Sequence, residues 1–338
     1  MKANQKRKLG RVDLEVTALG LGTVALGNLF KAVTEAVAED TIAAAWESGI
    51  RYYDTAALYG HGLGELRLGR ALRGKRRDDF TLSSKVGRRL KPRRRDSIDF
   101  GGWVDAAPFE LVYDYSYDGT MRAFEDSLQR LALEHMDMCF IHDIDVFTRG
   151  AEQPEVFRQA MDGCYRALDK LRTEGALKAI GVGVNEWEVC HEALKQRDFD
   201  CFLLAGRYSL LEQEPLAQFL PFCVERNVSV VIGGGFNSGI LATGPIEGSR
   251  YNYGPAPAHI KERVKRIEAV CSEFGAPLQA AAMQFVTAHP AIGSLIVGAR
   301  SRSQIEQDVK WFEQPLPREL WAKLKAERLV REDAIVPE

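Results

Sequence analysis

Four polar residues stand out by their type and by where they fall against the apolar runs of the chain. Asp54 and Tyr59 lie in Asp-Thr-Ala-Ala-Leu-Tyr-Gly behind one such run, Lys85 ends another in Ser-Ser-Lys-Val-Gly, and His142 ends a third in Phe-Ile-His-Asp. Their types make up the parts of a proton-transfer device. A free tyrosine, with a pKa of about 10, is a poor proton donor at neutral pH. An ammonium beside it favours the phenolate and lowers that value, and a carboxylate beside the lysine keeps the ammonium charged. A histidine can then orient the oxygen that gains or loses the proton. Each residue alone has a plain structural reading, such as a helix cap for the aspartate. Four of them on consecutive strand ends are hard to explain that way.

The elements that must hold them follow from periodicity. Short runs rich in β-branched residues alternate with longer amphipathic segments, the pattern of parallel strands joined by crossover helices. Residues 8–16 read as a hairpin turning near Gly10, and strands are expected over 14–24, 50–56, 80–87, 136–143, 177–184, 199–205, 228–234 and 293–299. Helices are expected over 38–49, 64–72, 118–133, 155–175, 186–196, 213–227, 257–274, 278–288 and 301–312, with an irregular stretch from about Arg88 to Tyr117. Eight β-then-α units with no linker predict a (β/α)8 TIM barrel with an N-terminal β-hairpin, a single domain over 1–338, whose active site gathers at the strand C-termini. A doubly wound open sheet has the same periodicity.

Composition narrows the function classes. The 338 residues are 46% hydrophobic and 27% charged, with Lys plus Arg 45 against Asp plus Glu 47, a net charge of −2. No global field recruits nucleic acid or an anionic membrane, and no apolar run is long enough to span a bilayer. The start is basic without an apolar stretch behind it, so no secretory signal is expected and the location is read as cytoplasmic. The six cysteines are scattered, with no C-x-x-C, and read as buried small hydrophobes in a reducing compartment; no metal is expected. Gly20-x-Gly22-x-x-Ala25 superficially matches a dinucleotide fingerprint, but that motif needs a helix opening at the turn, and here the helix is expected only near Ala38. A loop over the barrel mouth is the better reading. The glycine run from Gly233 to Gly239 offers backbone N–H groups suited to phosphates. The basic residues Arg88, Arg89, Lys91, Arg93, Arg94 and Arg95 read as a solvated surface, with attraction of an anionic substrate or cofactor phosphate as the alternative.

At this point the chain resembles the aldo-keto reductase superfamily. The resemblance rests on Asp54-Thr-Ala-x-x-Tyr59-Gly, Ser84-Lys85, Ile141-His142, Gly181-x-Gly183-Val184-Asn185 and Gly298-Ala299-Arg300-Ser301, in order along essentially the whole chain. Residues 113–119, 141–145, 181–187 and 203–213 are similar to the aldose 1-dehydrogenase branch, which includes L-fucose, D-threo-aldose and L-galactose dehydrogenases, with pyridoxal dehydrogenases close by. The resemblance implies hydride exchange with a nicotinamide bound extended across the barrel mouth, on a small-molecule substrate, with Asp54, Tyr59, Lys85 and His142 catalytic. It implies cofactor contacts from Gly22, Thr23, Asn185, Gly234, Gly235, Phe236, Gly239, Leu241, Gly298, Arg300, Gln304 and Asp308. NAD is favoured over NADP, because a carboxylate at Asp308 suits ribose hydroxyls and repels a phosphate; Arg300 and Arg302 remain within possible reach of one. Asp143, Asp145, Tyr113 and Tyr115 are candidates for contacts with a sugar. The expected reaction is oxidation of an aldose at its anomeric hydroxyl; pyridoxal oxidation, aldehyde or ketone reduction and a non-enzymatic auxiliary-subunit role are the alternatives. The chain departs from the family pattern at Val184, Ala205 and Gly233, where Ser, Gln and an aromatic residue are usual, with Phe236 as a substitute for the last.

Overall fold

The computed structural model describes residues 1–338. An antiparallel hairpin comes first, β1 (Lys6–Lys8) and β2 (Glu15–Thr17), turning at Gly10, whose φ of +50° suits a residue without a Cβ. Then come β3 (Leu19–Gly22), β4 (Tyr52–Asp54), β5 (Thr81–Val86), β6 (Arg88–Pro92), β7 (Phe109–Tyr113), β8 (Met138–His142) and β9 (Ala179–Val184). The series ends with β10 (Cys201–Ala205), β11 (Ser229–Gly233), β12 (Arg250–Tyr251), β13 (Gly254–Pro255) and β14 (Ile292–Gly298). Eight of these strands close a parallel barrel in the order β3-β4-β5-β8-β9-β10-β11-β14, with helices between them. The open-sheet alternative is thereby excluded.

Two apolar layers hold the barrel. The outer layer packs strand residues such as Leu21, Tyr53, Leu82, Ile141 and Val182 against the helices. The inner one joins Tyr52, Met138, Phe140, Cys201, Leu203, Val231 and Ile296 with Leu9, Leu14 and Val16, so the N-terminal hairpin plugs the barrel floor. Side chains alternate between faces every residue along a strand. Since Tyr52, Ser83 and Phe140 sit on the inner side, Asp54, Lys85 and His142, each two residues further on, point inward at the C-terminal mouth. The register brings the ends together, with Asp54 opposite Ser83, Lys85 opposite Phe140 and His142 opposite Gly183.

Several expectations are corrected. Residues 88–117 are not wholly irregular: β6 and β7 pair as a hairpin that stands on the rim. The helix expected over 155–175 is Gln153–Gln159 and Tyr165–Thr173 around a wide π turn at Ala160–Cys164. That turn lies where Gly163 presses on backbone, its ideal Cβ position falling 2.2 Å from the Tyr115 carbonyl oxygen. The first crossover helix starts at Glu35, capped by the Thr34 side chain, one turn before the expected start. Residues 213–227 split into a 3-10 turn, Glu214–Ala217, and a short helix, Phe219–Glu225. The β12–β13 hairpin and a last helix over Arg318–Ala326 were not anticipated. No helix is long and apolar enough to cross a membrane, and all six cysteines are buried free thiols.

Candidate active site

At the mouth, Lys85 donates from Nζ to Asp54 Oδ2 at 2.6 Å and to the Thr55 carbonyl at 2.8 Å. The other carboxylate oxygen of Asp54 accepts from Ser83 Oγ at 2.6 Å, and Ser83 Oγ lies 3.0 Å from the Tyr52 hydroxyl. The carboxylate is thus committed on both oxygens, and Asp54, Ser83 and Lys85 are all buried. Tyr59 rides the loop behind β4, its ring centroid 4.7 Å from Lys85 Nζ and 6.1 Å from the His142 ring.

Burial and charge set the protonation states. Burial opposes the charge on Lys85, but Asp54 and then Tyr59 outweigh it and raise its pKa. Burial likewise pulls the Asp54 carboxyl up, against Lys85 and the Ser83 hydroxyl. His142 is held well below the ordinary imidazole range, first by burial and then by the positive charges of Arg88 and Lys85, so it is neutral. Tyr59 reverses one expectation. The ammonium of Lys85 does pull its phenol down, but burial is the larger effect and pushes it up to about 12. A buried phenolate is costly unless a positive group stands close.

These four side chains line a cavity of about 470 Å³. Its floor is made of Gly22, Gly183, Leu203, Gly233 and Ile296 from the strand ends. Its rim is aromatic. Residues 28–30 are zipped to the loop over 100–104, Phe30 N–H donating to the Gly102 carbonyl at 2.8 Å and Val104 N–H to that of Asn28 at 3.0 Å; Phe30 lines the rim and Trp103 lies beside Tyr59, 6.1 Å between ring centroids. On the opposite side Phe147 packs on Tyr253, 6.0 Å between ring centroids, and the Tyr253 hydroxyl donates to Asn185 Oδ1 at 3.0 Å.

A second groove of about 710 Å³ continues the first, sharing Gly234, Ser238, Ile296 and Gly298 with it. It is lined by Gly235, Phe236, Gly239, Arg300, Ser303, Gln304, Gln307 and Asp308. Arg300 Nε is buried there without a partner, and the Asp308 carboxyl is 6% exposed and raised to about 7 by burial. An elongated ligand with an anionic middle and a hydroxyl-bearing end fits this composition: glycine N–H groups and a guanidinium held by the Leu29 carbonyl at 2.9 Å with its Nε free, then a carboxyl.

Not every expected contact faces these cavities. Thr23 is fully buried with its hydroxyl on Thr55 Oγ1 at 2.7 Å, and Leu241 is a core residue. Asp145 is also fully buried: its carboxylate accepts from the backbone N–H groups of Thr148 at 3.1 Å, Asn185 at 2.7 Å and Glu186 at 3.3 Å, so it ties two loops together. The Tyr115 hydroxyl sits 2.9 Å from the carbonyl oxygens of both His142 and Asp143, beneath the mouth. Tyr113 lies outside the cavity, its ring 4.7 Å from the Arg88 guanidinium and 4.0 Å from that of Arg149. Phe236 faces the second groove and does not approach the tetrad. Arg302 turns to Asp40 and Glu47 and away from the groove. Of the basic segment, Arg88 is buried against Asp143, while Arg93 and Arg94 pair at the surface with Glu110 and Asp96. Trp103, Phe147, Arg207 and Tyr253 were missed as lining residues; they sit on loops or, for Phe147, in the single-turn helix Val146–Arg149, too short for periodicity to expose them.

A parallel barrel with an Asp–Lys–Tyr–His mouth and an extended groove defines an oxidoreductase architecture, and comparison with known proteins agrees. Residues 18–328 match the model of the aldo/keto reductase family, and the chain belongs to that family. It is 45% identical to the pyridoxal 4-dehydrogenase of Microbacterium luteolum, over 98% of this chain and 99% of that one. It is 37% identical to the D-threo-aldose 1-dehydrogenase of a Pseudomonas species, over 94% and 95%. Among solved structures, the holo form of an aldo-keto reductase from Bacillus halodurans superposes with a TM-score of 0.72 at 28% identity, covering 99% of this chain and 98% of that chain.

Proposed function

We propose that this protein is a nicotinamide-dependent dehydrogenase that oxidises the hydroxyl of a cyclic hemiacetal to a lactone, with the hemiacetal form of pyridoxal as first substrate. One observation carries the substrate choice: the wall around Tyr59 and His142 is built from Phe30, Trp103, Phe147 and Leu29, with little polar surface for a polyol. A flat heteroaromatic ring gains more from such a rim than a sugar does. The 45% identity to a pyridoxal 4-dehydrogenase supports the same reading. An aldose is the second reading, favoured by Asp143 and Thr148 on the same wall and by the 37% identical D-threo-aldose dehydrogenase. Both substrates present the same reacting group.

In oxidation Tyr59 takes the hydroxyl proton as a phenolate, and Lys85 holds the charge that makes this possible. Asp54 keeps Lys85 protonated. His142, neutral and so able to act as donor or acceptor, holds the reacting oxygen. A nicotinamide cofactor bound along the two grooves would supply the acceptor for the hydride leaving the same carbon. Asn185 would hold its carboxamide, Gly234, Gly235, Gly239 and Arg300 its phosphates, and Gln304 and Asp308 its adenosine ribose. Because a carboxylate accepts from hydroxyls and repels phosphate, Asp308 favours NAD.

The test supplies NAD+ with pyridoxal, L-fucose, L-galactose and D-arabinose, and identifies products by mass. Pyridoxal should be oxidised fastest, to a product two hydrogens lighter. Rapid reduction of simple aldehydes with no hemiacetal oxidised would contradict the proposal.

A further inference from the structure

The residue after His142 is mounted with unusual care. Asp143 has a φ of +50°, a left-handed conformation that costs a side-chain-bearing residue energy. Its backbone is fixed on both sides: its N–H donates to the Gly183 carbonyl at 3.0 Å, and its carbonyl accepts from Tyr115. Its Oδ2 accepts from Arg88 Nη2 at 2.5 Å. Arg88 itself is buried, rests on the Tyr113 ring and reaches the mouth because Gly87, with a φ of +101°, turns the chain from β5 into β6 just past Lys85. What this arrangement leaves over is Oδ1. It has no hydrogen-bond donor, it belongs to a residue lining the cavity, and it lies 3.6 Å from His142 Nε2.

We infer that Asp143 Oδ1 reads a second hydroxyl of the substrate, on the carbon beside the reacting centre or at equivalent reach, and that Arg88 is the positioning residue that aims it. This deepens the proposed function and rests on its assignment of His142 to the reacting oxygen. Two polar atoms 3.6 Å apart match a substrate whose two oxygens lie side by side. His142 takes the reacting oxygen and Asp143 accepts from its neighbour. The hydroxyl at C2 of an aldose stands in that relation, and the ring hydroxyl of pyridoxal does so when it carries its proton. A simple aldehyde lacks the donor and leaves a desolvated carboxylate oxygen unpaired, a strong ground for rejection. The Arg88 ion pair keeps the carboxylate from swinging to His142 or out to solvent.

The test uses matched substrates in the reductive direction, where turnover needs only the family's carbonyl chemistry. The ratio of kcat/KM for glyceraldehyde to that for propanal should be on the order of tenfold to a hundredfold in the wild type. It should fall towards one in Asp143→Asn, whose amide turns its oxygen to Arg88 and presents a donor to the cavity. Arg88→Met should lose most of the ratio with Asp143 still present, and Arg88→Lys should keep an intermediate value. Folding is checked by NADH affinity, which the variants should leave within about twofold, since Asp143 and Arg88 lie off the second groove. A wild type indifferent to the hydroxyl, or an Asp143→Asn enzyme with the ratio intact, would overturn the inference. If the ratio collapses as expected while neither pyridoxal nor any aldose is oxidised, the hemiacetal reading fails and this one stands.

Discussion

The two ends of the barrel both bury charged side chains, and they use them in opposite ways. At the N-terminal end Asp137 accepts from Arg77 at 2.6 Å and from Leu82 N–H at 2.9 Å, with Lys178 at 3.2 Å. Asp200 repeats the device, accepting from Arg172 at 2.7 Å and Ile180 N–H at 2.9 Å, with Arg11 at 3.5 Å. Each carboxylate sits just before a strand and stitches it to the previous one. At the C-terminal end, by contrast, Tyr59 and His142 are shifted from their ordinary ranges, and Oδ1 of Asp143 and Nε of Arg300 stand without partners. Unmet polar capacity inside a folded protein is costly. A barrel that satisfies its charges at one end and leaves particular polar atoms, Asp143 Oδ1 and Arg300 Nε, open at the other has room there for ligands.

The contrast can be broken most forcefully at the satisfied end. Asp137→Ala leaves Arg77 buried without its carboxylate and the Leu82 N–H unpaired, and should destabilise by about 3–5 kcal/mol. Denaturant unfolding should show this loss while kcat/KM at low temperature stays close to wild type. An unstable protein with impaired chemistry would mean that the two ends are not independent.

A smaller effect sharpens the reading of the open end. With Tyr59 raised to about 12, reduction finds its proton donor fully protonated through neutral pH, and oxidation needs a phenolate that is scarce there. Oxidation should therefore climb from pH 7 to 10, by up to about tenfold per unit, while reduction stays nearly flat over the same range. Parallel profiles in both directions would show that another group carries the proton.

The smallest effect concerns Asp308. Its carboxyl, raised by burial to about 7, binds its proton more tightly folded than unfolded. The stability this contributes is complete below the unfolded value, about 4, and is lost as pH rises through 7. The Tm of the cofactor-free protein should fall between about pH 4 and 7 and level off above that, and Asp308→Asn should remove much of that slope. Between about pH 6 and 8, where the folded carboxyl ionises, the preference for NAD over NADP, measured as a ratio of Kd values, should grow severalfold in the wild type and stay level in the variant.

Much of this was legible in the sequence because periodicity exposes it. The eight strands announce themselves as short β-branched runs, and a period of two makes Asp54, Lys85 and His142 inward-facing once the strand ends are known. Arg88 was lost among five other basic residues, since nothing local separates a guanidinium turned inward by Gly87 from solvated neighbours. Asp145 and Tyr115 were overread for the complementary reason. Their types suit a sugar, but loop closure had already taken the Asp145 carboxylate and the Tyr115 hydroxyl. The aromatic rim rests on contacts between loops far apart in sequence, such as Leu29 with Trp103 and Phe147 with Tyr253. No window of sequence contains both partners.

The central claim is that Tyr59 carries the proton for a reaction at this mouth, and Tyr59→Phe tests it most directly. The variant keeps the ring between Trp103 and Lys85 and loses only a hydroxyl that faces the cavity. Thermal unfolding, NADH affinity and kcat are measured on one preparation. The account predicts an unchanged Tm, a Kd within about twofold, and a kcat lower by roughly 10²–10⁴-fold. A variant that folds, binds NADH and keeps more than half of the wild-type kcat would contradict it.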